Sequence, residues 1–151
     1  MDGQNKYMIE ALAGAKLAAA QGEVPVGAVV VNGRTGEIVA KAFNRTEQAN
    51  DATAHAEILV LRQGGKILGA PRLVDCDLYV TLEPCPMCAA AISFARIRRL
   101  YFGAYDPKSG GVEHGPRLYT HSSLHHVPEV YGGISERECG LILKDFFKDK
   151  R

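Results

Sequence analysis

The sequence has no apolar run that is long enough to cross a membrane. Its longest ones, residues 27–31 and 88–92, are far shorter than the roughly 20 residues that span a bilayer. The first residues also lack the apolar core of a secretory signal, because Asp2 and Lys6 interrupt them. We therefore expect a cytoplasmic protein without a membrane partner.

Cysteine is scarce, with four residues in a chain of 151. Disulfides are rare in the reducing compartment that we expect for this protein. The four cysteines are therefore predicted to be free thiols or metal ligands: Cys76, Cys85, Cys88 and Cys139.

Net charge is almost absent, because 18 basic and 17 acidic side chains leave +1. A protein that coats nucleic acid would be strongly basic, so the balance argues against that class. Residues 1–95 hold 8 basic and 10 acidic side chains, net −2, whereas residues 96–151 hold 10 and 7, net +3. We expect no DNA partner, and the difference in charge between the two parts of the chain is small.

The hydrophobic pattern predicts helices and strands that alternate along the chain. Helices are predicted at residues 5–21, 53–68, 86–97 and 135–148, and strands at 26–31, 37–43, 77–82, 98–103 and, for a short one, 127–131. This order implies a central sheet with helices on both faces. Because the chain has no repeats or linkers and is short, we predict one domain over residues 1–151.

Two segments carry the residue types of a zinc site. One is His55-Ala56-Glu57, and the other is Pro84-Cys85-Pro86-Met87-Cys88, and each lies where a helix is predicted to begin. Zinc binds imidazole nitrogen and thiolate sulfur in tetrahedral geometry. His55, Cys85 and Cys88 provide three ligands, and three ligands with a fourth position open to water is the pattern of catalytic zinc.

Glu57 is the candidate catalytic residue. It lies two residues after the ligand His55, so it can point at the site without binding the metal. A carboxylate there can take a proton from water and pass it on. This set of groups fits hydrolytic attack on an amidine-like carbon.

Two other interpretations of the cysteine motif remain open at this point. Cys85 and Cys88 could form a thioredoxin-like redox pair. They could also belong to a structural zinc site, with Cys76 or Cys139 as the fourth ligand. The redox interpretation does not require the His-Ala-Glu segment, and neither Cys76 nor Cys139 has a cysteine near it in the sequence.

At these residues the chain resembles the zinc nucleobase deaminases, whose signature is His-Ala-Glu followed by Pro-Cys-x-x-Cys. Further segments resemble the bacterial tRNA-specific adenosine deaminases of the cytidine/deoxycytidylate deaminase superfamily: residues 23–29, 44–45, 51–58, 78–85, 88–92, 95–97, 102–111 and 139–147. The resemblance implies a three-layer α/β/α fold with a five-stranded mixed sheet. It also implies one Zn²⁺ per subunit, a homodimer, and hydrolysis of adenosine to inosine in a tRNA anticodon stem-loop, most often at the wobble position.

The resemblance also implies roles for residues outside the zinc site. Asn44 would hydrogen-bond the flipped adenine, which suits an amide because it offers a donor and an acceptor. The other substrate-binding candidates are Val26, Ala56, Asp106, Lys108, Phe146 and Phe147. Each also has an ordinary structural explanation: strand core for Val26, turn chemistry for Asn44, Asp106 and Lys108, and helix core for one of the two phenylalanines. The basic residues Lys144, Lys148, Lys150 and Arg151 could meet phosphates or form a solvated face.

Two alternative functions stay open. The chain could be a free-base or nucleoside deaminase, guanine deaminase being the nearest, or a non-catalytic zinc-stabilised RNA-binding module. A deaminase-like protein that had lost its activity would be expected to have lost Glu57 as well, but Glu57 is present in this chain. Residues 112–126 depart from the commonest pattern of the family, so the detailed RNA contacts cannot be carried over there. Histidines in this segment suggest surface or RNA-facing roles more than a second metal site.

Overall fold

A computed structural model describes residues 2–148 of the chain. The helices are α1 (Asp2–Ala20), α2 (Ala56–Leu68), α3 (Pro86–Phe94) and α4 (Glu136–Lys148), and a short 3₁₀ turn covers Leu118–Thr120. The strands are β1 (Gly27–Asn32), β2 (Ile38–Phe43), β3 (Cys76–Leu82), β4 (Arg99–Ala104) and β5 (Glu129–Tyr131). No helix in the described part is long and apolar enough to cross a membrane.

The five strands form one mixed sheet in the order β2-β1-β3-β4-β5. Strand β1 pairs antiparallel with β2 and β3, whereas β3, β4 and β5 run parallel. The parallel pair β3–β4 is joined through α3, as a crossover connection requires. The predicted three-layer α/β/α fold with a five-stranded mixed sheet is confirmed.

Each face of the sheet carries its own hydrophobic core. Alternate residues of β1, such as Val30 and Val29, point to opposite faces because side chains alternate along a strand. One core contains residues of α2 and α3, including Val60 and Ile92, and the other contains residues of α1 and α4, including Met8 and Cys139. The zinc-site segments therefore lie together on the α2/α3 face.

The most informative boundary differences lie next to the site. Helix α2 begins at Ala56 and not at residue 53, because Asp51 holds Thr53 in a turn: its Oδ1 accepts the Thr53 N–H at 2.9 Å and the Thr53 hydroxyl at 2.7 Å. His55 is consequently the extended residue just before the helix, with φ −72° and ψ 152°. Helix α3 ends at Phe94, three residues earlier than predicted.

Candidate metal centre and substrate cavity

The two zinc-site segments meet at the starts of two neighbouring helices. His55 precedes the first turn of α2, Cys85 precedes the first turn of α3, and Cys88 lies within that turn. Pro86 occupies the first turn of α3, where its missing N–H costs no hydrogen bond. The sheet thereby brings together residues that are about 30 positions apart in the sequence.

The donor atoms of these residues have the spacing of a zinc site. His55 Nδ1 lies 3.6 Å from Cys85 Sγ and 3.4 Å from Cys88 Sγ, and the three donor atoms are all within 4.8 Å of one another. Tetrahedral zinc, with bonds of about 2.3 Å to sulfur and about 2.0–2.1 Å to nitrogen, separates nitrogen from sulfur by about 3.5 Å. The donor set therefore fits one zinc ion.

The remaining cysteines and histidines do not join this cluster. Among the described side chains, which are those of residues 5–148, no other group of three potential ligands is close enough to hold a metal. Cys76 is buried in the core beside α2 and α3, and Cys139 is buried in the core on the opposite face. The hypothesis of a structural site completed by Cys76 or Cys139 is therefore wrong.

The thiols of the two ligand cysteines differ in acidity. The hydrogen bond from Cys88 is the largest cause that lowers the pKa of Cys85 to about 4. The same hydrogen bond is the largest cause that raises the pKa of Cys88. A bound zinc ion would favour the thiolate form of both cysteines.

Glu57 lies in the first turn of α2, and its side chain is buried. Burial raises the pKa of Glu57 to about 7. A carboxyl group whose pKa is close to neutral can both accept and donate a proton at physiological pH.

A cavity of about 230 Å³ opens beside the cluster. It is large enough for one flat heterocycle and far too small for folded RNA. Its apolar and polar lining residues are Val24, Val26, Asn44, Thr46, His55, Ala56, Glu57, Leu82, Glu83, Cys85, Asp106 and Ser109. Val26, Asn44, Ala56 and Asp106, all predicted from the sequence, lie together here with Glu57.

Asn44 is the buried amide of this cavity. Only 7% of the residue is exposed, and its Nδ2 donates to the carbonyl of Val24 at 3.4 Å. Its side-chain oxygen has no protein donor within the described part of the chain. A buried acceptor without a partner costs free energy unless a ligand or water satisfies it, which suits a position that receives a substrate N–H.

Three further predicted residues do not line the cavity. Lys108 is exposed on the loop that follows Asp106. Phe146 is half-buried and Phe147 is 45% exposed at the end of α4, with their rings edge to face at a centroid distance of 5.3 Å. A groove lies between the loop and α4, and it is lined by Tyr105 and Pro107 of the loop and by Glu136, Arg137 and Lys144 of α4. Lys150 and Arg151 lie outside the described residues.

Several residues of the site could not be selected from the sequence. Thr46 and Ser109 add hydroxyl groups to the cavity. Glu23 is 1% exposed and accepts the backbone N–H groups of Glu47 at 3.2 Å and Gln48 at 2.8 Å, so it fixes the loop after Asn44. The one available signal was that Glu23 precedes a buried strand, where a charged residue needs a partner.

Glu83 is the second fully buried carboxylate that lines the cavity. Burial alone would raise its pKa, but hydrogen bonds from the backbone of Asp106 and from His114 outweigh burial, so the pKa of Glu83 lies below its usual value. Glu83 is therefore held as a carboxylate, in contrast to Glu57.

The fold, the His/Cys/Cys cluster and the adjacent carboxyl group define a zinc-binding hydrolytic deaminase. The family model of the cytidine and deoxycytidylate deaminase zinc-binding region matches residues 1–104. The chain belongs to this family. Among its relatives, the tRNA-specific adenosine deaminase of Agrobacterium fabrum (strain C58) is 54% identical over 145 residues, which cover 96% of this chain and 94% of that protein.

Solved structures agree with this placement. One comes from a study of A-to-I editing by tRNA:A34 deaminases at the wobble position of transfer RNA. It is 54% identical, with a TM-score of 0.89 over 91% of this chain and 99% of that one. A guanine deaminase from Nitrosomonas europaea, 22% identical with a TM-score of 0.78 over 94% of this chain and 83% of that one, shares the fold alone.

Proposed function

We propose that this protein, acting as one catalytic domain over its 151 residues, deaminates adenosine to inosine in tRNA at the wobble position of the anticodon. One observation carries the proposal: a base-sized cavity brings together the His55/Cys85/Cys88 cluster, the buried Glu57 and the unsatisfied amide oxygen of Asn44. The names of the similar proteins supply the substrate. A tRNA substrate in turn supports a cytoplasmic location.

The reaction replaces the amino group at C6 of adenine with the oxygen of water and releases ammonia. Zinc, when bound by His55, Cys85 and Cys88, would lower the pKa of a water molecule and so supply the nucleophile at neutral pH. Glu57 would take a proton from that water and deliver it to N1 of adenine. Glu57 would then carry the second proton to the amino group, which leaves as ammonia when the C6–N bond breaks.

The residues of the cavity would hold the base for this transfer. Val26 and Ala56 provide apolar walls, and Asn44 would accept a hydrogen bond from the edge of the ring. The base would have to leave the stacked loop to reach Glu57, because the cavity admits a base and not a duplex.

The remainder of the anticodon stem-loop would lie across the rim. Asp106 lies at the rim, and Lys108 is exposed two residues further on the same loop. The groove that runs from this loop to α4 carries Arg137 and Lys144, which would meet phosphates, while Phe147 offers an exposed ring for stacking. The RNA contacts would thus come mainly from the half of the chain with net charge +3.

We propose further that the protein is a homodimer through α2 and α3. An apolar groove of about 760 Å³ runs between these helices, lined by Leu61, Ala91 and others. Phe94, 73% exposed, is part of this groove, and Ile67 nearby on α2 is 62% exposed. Wild-type protein that sediments as a monomer at micromolar concentration would contradict the dimer. If the wild type is a dimer, the Phe94→Asp variant is expected to sediment as a monomer.

The substrate is tested by comparing the turnover of three candidates. Zinc-loaded protein is incubated separately with an adenosine-containing anticodon stem-loop, guanine and cytidine, and ammonia and inosine are measured. Formation of inosine in the stem-loop, with no release of ammonia from guanine or cytidine, supports the proposal. Ammonia from guanine alone would reverse the assignment, and metal content without any turnover would favour a zinc-stabilised RNA-binding module.

A further inference from the structure

The carboxylate of Glu83 receives five hydrogen bonds from one short segment, residues 106–114. Its Oε1 accepts from the Asp106 N–H at 3.0 Å and lies 2.8 Å from Nδ1 of His114. Its Oε2 accepts the backbone N–H groups of Val112 at 3.2 Å, Glu113 at 2.9 Å and His114 at 3.0 Å. The buried carboxylate of Glu83 therefore holds both the beginning and the end of the 106–114 segment in place.

The part of the segment between its two hydrogen-bonded ends forms one wall of the substrate cavity. Asp106 and Ser109 line the cavity, and Asp106 Oδ1 accepts the N–H groups of Lys108 at 3.2 Å and Ser109 at 3.0 Å. Gly110 lies directly against the carboxylate, and a Cβ there would overlap Glu83 Oε2. The position of this wall is thus set by where Glu83 holds the segment.

Glu83 has no hydrogen-bonding capacity left for the reaction. A carboxylate has about four lone-pair sites, and five donors already occupy its two oxygens. Although Glu83 and Glu57 line the same cavity, proton transfer is left to Glu57. Glu83 acts instead through the loop that it holds.

We propose that Glu83 and His114 form a positioning pair that sets the distance between the Asp106–Ser109 wall and the metal side of the cavity, and so controls how tightly the RNA substrate is held. This inference rests on the proposed function. His114 is the adjustable member, because its ring supplies the one side-chain donor to Glu83, while the other four donors are backbone N–H groups that an alanine or asparagine substitution leaves in place.

The test uses His114, because a substitution of Glu83 would leave several buried donors unpaired and could prevent folding. In His114→Ala, one donor is lost. In His114→Asn, an amide N–H at the position of Nδ1 restores it. Glu37→Gln is the control, since Glu37 is exposed on the β1–β2 hairpin, away from the cavity.

We expect His114→Ala to raise KM for the anticodon stem-loop about three- to tenfold, with kcat and zinc content close to wild type. His114→Asn should return KM to within about twofold of wild type, and Glu37→Gln should leave it unchanged. A fall in kcat at constant KM, or an Asn variant as impaired as the Ala variant, would overturn the positioning role.

Hydrogen–deuterium exchange separates this inference from the proposed function. The amides of residues 106–114 should exchange faster in His114→Ala than in wild type or His114→Asn, whichever substrate the enzyme takes. Unchanged exchange in His114→Ala would refute the pair. If wild type forms no inosine but the exchange result holds, the substrate assignment fails while the positioning pair stands.

Discussion

Replacement of Glu57 by glutamine tests the chemistry most directly. The substitution keeps the volume of a buried side chain in the first turn of α2 but removes its ability to exchange a proton. Zinc should stay bound at one ion per chain, because His55, Cys85 and Cys88 are untouched. Binding of the stem-loop should also stay close to wild type, because the cavity keeps its shape.

The loss of turnover should be large because no other group can take over. A single proton transfer by a positioned side chain contributes about 10²–10⁴-fold to a rate, and Glu57 would serve at least two transfers. Glu83 is saturated by five donors, and Asp106 Oδ1 is occupied by two loop amides. We therefore expect kcat to fall by about 10⁴-fold, which corresponds to about 5.5 kcal/mol.

The assay is single-turnover inosine formation in the stem-loop, with zinc measured on the same sample and RNA binding measured by fluorescence anisotropy. Glu37→Gln is the matched control, since Glu37 is exposed on the β1–β2 hairpin, away from the cavity. A Glu57→Gln protein that retains zinc and RNA binding and turns over within tenfold of wild type would refute the assignment of Glu57 as the proton carrier.

Three further predictions follow from the same site and its surroundings. Asn44→Ala should lower kcat/KM on the stem-loop about tenfold at unchanged zinc content, and an unchanged kcat/KM would exclude contact with the base. Chelation of zinc should abolish turnover and lower Tm by roughly 5–10 °C, as seen by calorimetry, and readdition of zinc should restore both. Because burial raises the pKa of Cys139 to about 12, iodoacetamide at pH 8 should label it only after denaturation; labelling of the native thiol, detected by mass spectrometry, would contradict its burial.

The metal ligands could be predicted because they are specified locally. His55 and Cys85 each precede a helix, and Cys88 follows at helical spacing, so short motifs fix which atoms are available. Only the packing of both helices on one face of the sheet was needed to join them. The hydrophobic pattern of residues 26–31 and 77–82 predicted that sheet, although β5 is only three residues long and its pairing with β4 is not visible in the pattern.

The supporting residues could not be predicted because their partners are remote in sequence. Glu23 accepts hydrogen bonds from amides 24 and 25 positions away in the sequence, and Glu83 accepts them from groups 23 to 31 positions away. In the sequence each is a single acidic residue beside a buried strand, and this position alone does not show which groups would donate hydrogen bonds to it. The fold determines which donors reach each of these carboxylates, because this depends on the final positions of whole loops.

This dependence also explains how two buried carboxyl groups in one cavity can differ in chemistry. Burial raises the pKa of Glu57 to about 7, whereas the donors of the 106–114 segment hold the pKa of Glu83 below its usual value. Both side chains are buried, but hydrogen bonds outweigh burial only at Glu83. A loop that donates five hydrogen bonds to Glu83 and none to Glu57 thus leaves Glu57 as the one of these two carboxyl groups that can carry protons.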